Sequence, residues 1–146
     1  MRCIFTENQD AGVNAQAAEL SKLNHPVLFC SELTKLETPS GLRARLRAKT
    51  LSRSNHFRLT LKWEQLVQAN IVFLPLNNEI IHAALTVMSN SKVQCRLRSL
   101  DCIQFASYLA LRRRFSNAIF FAADFALCSL ALEHSVPYFN PLSKQP

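Results

Sequence analysis

The chain has 146 residues, which fits one domain on a prior of roughly 100 to 200 residues each and is enough for a self-sufficient apolar core. Hydrophobic residues make up 49% and charged ones 18%, with only two glycines, which excludes disordered, collagen-like and low-complexity chains. Seventeen Lys+Arg against ten Asp+Glu give +7, an excess that suits an anionic partner such as nucleic acid and says nothing about fold.

At the N-terminus, Met1 to Phe5 is too short, and too soon followed by Glu7 and Asp10, for a signal peptide. A helical pattern covers 14–23. Val27-Leu28-Phe29-Cys30 is continuously apolar, as a strand buried on both faces is. Ser31 follows directly and is placed to cap a helix over 31–49, with Glu32 facing its positive first turn. Pro39 is expected to bend or end that helix, Gly41 giving room.

Next come a helix over 58–69, a second strand, Ile71-Val72-Phe73-Leu74, and a helix over 78–89 introduced by Asn77-Asn78-Glu79. Ser99 is the expected N-cap of a helix over 99–114, with Asp101 in its first turn. Ala118-Ile119-Phe120-Phe121-Ala122 is a third strand, Asp124 marks a strand-to-helix junction, and 124–134 is helical. Val136-Pro137-Tyr138-Phe139 is a fourth strand, confined by its proline to an edge or a strand start. This alternation implies one α/β domain, a parallel sheet with helices on both sides.

The five cysteines are odd in number and lack a C-x-x-C pair, so they read as buried apolar residues in a reducing compartment. The four histidines lack metal-ligand spacing, and Trp63 reads as core. The most apolar stretch, 118–132, carries Asp124 and falls short of the roughly 20 apolar residues of a span. A cytoplasmic protein with no membrane partner is expected.

In such sheets ligands bind beyond the carboxyl ends of the strands. Glu32 and Glu37 follow the first strand, Glu79 the second and Asp124 the third, and Asp101 begins the helix before the third. Acids are favoured at helix starts by the dipole alone, so their placement does not by itself make a site.

The words around these acids add to that pattern. Ser31-Glu32-Leu33-Thr34-Lys35-Leu36-Glu37, Leu97-Arg98-Ser99-Leu100-Asp101-Cys102-Ile103-Gln104-Phe105-Ala106 and Phe120-Phe121-Ala122-Ala123-Asp124-Phe125-Ala126-Leu127 resemble, in order, three signatures of the PIN domain. The nearest likeness is to VapC-type toxins of bacterial toxin–antitoxin pairs, and Ser135-Val136-Pro137-Tyr138-Phe139-Asn140-Pro141 is similar to that family's last strand. The resemblance spans nearly the whole chain and implies a PIN-like three-layer α/β/α fold with a parallel sheet. It implies a ribonuclease dependent on Mg²⁺ or Mn²⁺, with Glu37, Asp101 and Asp124 at the family's acidic positions as catalytic residues and metal ligands. Glu32 is expected to be a helix-start charge instead. RNA as substrate and an antitoxin protein as partner are further implications, and a homodimer is the assembly considered.

The family's first strand, central in the sheet and ending in an Asp, has no counterpart here: the chain begins at about the following helix, and neither Glu7 nor Asp10 takes the matching place. Two readings follow, a ribonuclease whose start lies upstream of Met1, or a non-catalytic remnant that binds antitoxin or RNA. Of the basic residues, Arg96 and Arg98 lie closest to Asp101 and are the candidates for RNA phosphate contact. Arg43, Arg45, Arg47, Lys49 and Arg53 cannot share one helix face, and Arg112-Arg113-Arg114 stands at a helix end where the dipole favours cations.

Overall fold

The computed structural model describes residues 27–69, 71–93, 97–140 and 142. The helix expected over 14–23, Arg96, Cys3 and Cys95 lie outside them. Within them the order is β1 (Leu28–Ser31), α1 (Thr34–Arg47), α2 (Arg53–Ala69), β2 (Ile71–Leu74), α3 (Asn78–Asn90), α4 (Ser99–Arg114), β3 (Phe120–Phe121), α5 (Phe125–Glu133) and β4 (Tyr138–Phe139). No helix among the described residues is long and apolar enough to cross a membrane.

The mixed α/β class and the parallel strands agree with the sequence, but a single sheet does not form among the described residues. β1 pairs with β2, from Leu28↔Ile71 to Ser31↔Leu74, and β3 pairs with β4, Phe120↔Tyr138 and Phe121↔Phe139, as two separate two-stranded sheets. The apolar run 118–122 yields only two strand residues; at its start the Tyr108 hydroxyl donates to the Ala118 carbonyl at 3.1 Å and lies 3.4 Å from the Pro137 carbonyl. By register Phe29 and Phe73 project from opposite faces of the first pair. Trp63 of α2 meets Phe73 edge-on at 6.4 Å, while Phe115, just past α4, meets Phe29 at 5.5 Å.

Helix starts follow local hydrogen bonding. Asn77 caps α3 as expected, its Oδ1 accepting from the Ile80 amide at 2.9 Å. Ser31 does not cap α1; it ends β1, and its hydroxyl accepts from the Leu33 amide at 3.4 Å, leaving the helix to begin at Thr34. At α4 the N-cap is Arg98 rather than Ser99, and the carboxylate three residues on, Asp101, accepts from the Arg98 amide at 3.1 Å. α2 begins earlier than expected because Ser52 accepts from the Asn55 amide at 3.2 Å. Pro39 neither ends nor splits α1: it deprives only the Lys35 carbonyl of a donor, and Lys35 is exposed to water. Gly41 has no positive φ and serves no bend.

The main core gathers around α4. Phe105, 0% exposed, stacks against Tyr108 at 6.1 Å, Phe120 at 5.4 Å and His134 at 5.1 Å, and Leu127, Leu130 and Ala131 of α5 close over it. Leu42, Leu51 and Leu59 form a smaller cluster joining α1 to α2. Trp63 is core, and Cys30, Cys102 and Cys128 are buried, as read from the sequence. Phe105→Ala is expected to lose about 3 to 5 kcal/mol in urea unfolding, and a loss under about 1 kcal/mol would place the core elsewhere.

α3 is tied to the end of α5 by Glu133, which accepts from the Ser91 hydroxyl and the Lys92 amide, each at 2.7 Å. The Lys92 amide first and the Ser91 hydroxyl second hold this carboxyl below its ordinary range. A carboxyl depressed in the folded state contributes stability that is present above the unfolded pKa and lost as pH falls through the folded one. The stability gap between the native chain and Glu133→Gln is therefore expected at neutral pH and should close as the pH drops below the ordinary 4.5. A gap unchanged on acidification in paired urea titrations contradicts it.

Candidate carboxylate site

β1 delivers the chain to a buried polar corner. Ser31 at its carboxyl end and Thr34 in the first turn of α1 are both buried, and Glu37, one turn further, is half-buried. Glu37 turns toward α4, where the Gln104 side-chain amide donates to its Oε2 across 67 residues of sequence. Gln104 stands one turn beyond Asp101 on the same face of α4. The buried polar residues among those described are Ser31, Thr34, Asp101, Gln104 and Ser107, drawn from β1, the start of α1 and the inward side of α4. Polar groups removed from water need partners, so their convergence is the feature that singles out this corner.

Two of the three expected acids hold helix ends. Asp101, 6% exposed, binds the Arg98 amide as above, and Asp124 is the N-cap of α5, its Oδ1 accepting from Ala126 at 2.9 Å and Leu127 at 3.4 Å. Glu37 is thus tied to α4 one turn beyond Asp101, while Asp124 stands at the start of α5, which packs on α4. Among the described residues, no three His, Cys, Asp or Glu side chains stand close enough together to hold a metal ion. The described donor set therefore does not fit a Mg²⁺ or Mn²⁺ centre by itself.

Neighbouring groups play other parts. Burial, and secondarily the Asp101 charge, pushes the Cys102 thiol up; burial and then Asp124 do the same at Cys128, whose Sγ donates to the Ala122 carbonyl at 3.3 Å. Both remain protonated and apolar rather than nucleophilic. Glu32 accepts from the Lys35 ammonium at 3.2 Å and the Leu76 amide at 3.4 Å, chiefly the former holding its carboxyl below the ordinary range. It joins the ends of β1 and β2 from the turn before α1. Arg98 is exposed at the N-cap of α4. Beyond Ser107 a cavity of about 470 Å³ opens between the β1–β2 pair and the second half of α4, with Phe29, Leu111, Arg114 and Phe115 in its wall.

The residue the sequence reading missed is Gln104. Its signal is a second polar side chain, one turn past Asp101, on the 101, 104, 108 and 111 stripe of the helix. No protein-family model, curated protein or solved structure matches this chain.

Capping separates the structural from the chemical role of Asp124. Asp124→Ala is expected to lose about 1 kcal/mol, while Asp124→Asn, an equally good cap, stays within about 0.5 kcal/mol of the native chain. Equal losses in the two variants by urea unfolding would remove the cap from the account.

Proposed function

We propose that this chain is a PIN-like α/β protein resembling VapC-type toxins, a divalent-metal-dependent endoribonuclease whose site residues are Glu37, Asp101 and Asp124. The observation that carries this reading is the Gln104–Glu37 hydrogen bond, which brings the acid following β1 against α4 one turn beyond Asp101. The three sequence words place their acids on α1, α4 and the cap of α5. Parallel strands and helices in alternation are the common ground between the described residues and a three-layer α/β/α fold. RNA suits the +7 charge, with Arg98 beside the acids as a phosphate contact and Arg96 as its companion in sequence.

In this reading Glu37, the one acid of the three not holding a helix end, is the carboxylate that takes a proton from an attacking water. An antitoxin protein as partner, a homodimer and a cytoplasmic location belong to this same reading.

That no three-residue metal group forms among the described residues favours a second reading: a non-catalytic module that binds RNA or an antitoxin. End-labelled RNA incubated with the chain and Mg²⁺ or Mn²⁺ tests both. Under the first reading the RNA is cut, chelation stops the reaction, and Asp101→Asn lowers the rate at least about 100-fold. Retention of uncut RNA, weakening with salt, selects the second. With neither cutting nor RNA binding, the ribonuclease fails and antitoxin capture alone is left.

A further inference from the structure

Gln104 is 2% exposed, and its two amide atoms meet opposite fates. Nε2 donates to Glu37, while Oε1, equally cut off from water, has no hydrogen-bond partner among the described residues. Turning the amide over would exchange the two atoms. Oε1 would then face a carboxylate oxygen, two acceptors with no proton between them. The carboxylate thus dictates which way the amide points, and the orphaned carbonyl is the consequence.

A buried carbonyl without a donor weakens a fold, whereas an apolar side chain of similar length carries no such penalty. Gln104 is itself buried, so a methionine of similar length fills its place without an unmet polar atom. What a methionine could not do is donate to Glu37. The donor is also neutral: an amide fixes a carboxylate in place without cancelling its charge, as lysine or arginine would.

We propose that Gln104 is the positioning residue of the carboxylate site, acting through Glu37 by fixing where its carboxylate stands relative to Asp101 on the next turn of α4. What the held carboxylate then does rests on the ribonuclease reading; the contact and its purpose as a clamp do not.

The full chain and its Gln104→Met, Glu37→Gln and doubly substituted forms test this. In urea, Gln104→Met should unfold at the same concentration as the native chain or a higher one; a lower midpoint marks Gln104 as a structural residue and overturns the proposal. In RNA cleavage, Gln104→Met should lower kcat by about 10- to 100-fold with KM changed by less than about twofold, and should cost nothing further in the Glu37→Gln background. Equal losses in both backgrounds overturn it.

Should the native chain cut no RNA, the ribonuclease reading fails alone and NMR decides the clamp. The Gln104 side-chain amide protons should shift when Glu37 becomes Gln, and unmoved resonances overturn the proposal.

Discussion

Helix α4 has to be buried from two directions at once. The β1–β2 and β3–β4 pairs share no ladder among the described residues, so the hydrogen bonding that would unite one sheet is not what joins them. α4 supplies the connection through side chains. Phe105 and Tyr108 stack on Phe120 of β3, and Phe115 beyond its end stacks on Phe29 of β1. Such aromatic pairs contribute about 0.5 to 1.5 kcal/mol each beyond the area they bury. The helix also packs along α3 more extensively than on any other element.

Burial on that scale forces the helix to account for its polar side chains. Ser107 donates to the Ile103 carbonyl at 2.8 Å, Tyr108 to the Ala118 carbonyl, and Asp101 takes the Arg98 amide. Three of these solutions are internal to the fold and need no ligand to explain them. Gln104 differs: half of its amide goes to the carboxylate of another helix and half finds no partner among the described residues. The carboxylate site is therefore an outgrowth of the constraint that organises the core.

Much of this was legible in the sequence, for physical reasons that vary with the residue. β2 falls on its predicted residues because an uninterrupted apolar run bounded by Pro75 has one solution, and Asn77 caps α3 because its signal is local. Ser31 and Ser99 were misread as caps because two adjacent positions compete for one helix start, and the winner depends on the tertiary path of the chain: Ser31 is held in β1 by its pairing with Leu74. Pro39 was expected to break α1 because the rule counts the lost hydrogen bond and not whether water can replace it. The single sheet could not be checked from periodicity, which identifies strands but not their neighbours. Gln104 escaped because its importance lies in a contact with a residue on a different helix.

Capping and chemistry are not exclusive roles for the acids. A carboxylate offers about four lone-pair sites, and a backbone amide at a helix N-terminus takes one or two of them. What the cap does is orient the group, because the amide it binds is fixed in the helix. Asp101 and Asp124 are held this way by their own helices, whereas Glu37, inside α1, has no helix end to orient it and depends on a side chain instead. The three acids are thus fixed by two kinds of device: Asp101 and Asp124 by the starts of α4 and α5, Glu37 by a side chain of α4. Where Asp124 stands relative to the other two is set by the packing of α5 on α4, so the buried apolar contacts of Cys102, Phe105 and Leu127 fix the spacing of the acids as much as their own hydrogen bonds do.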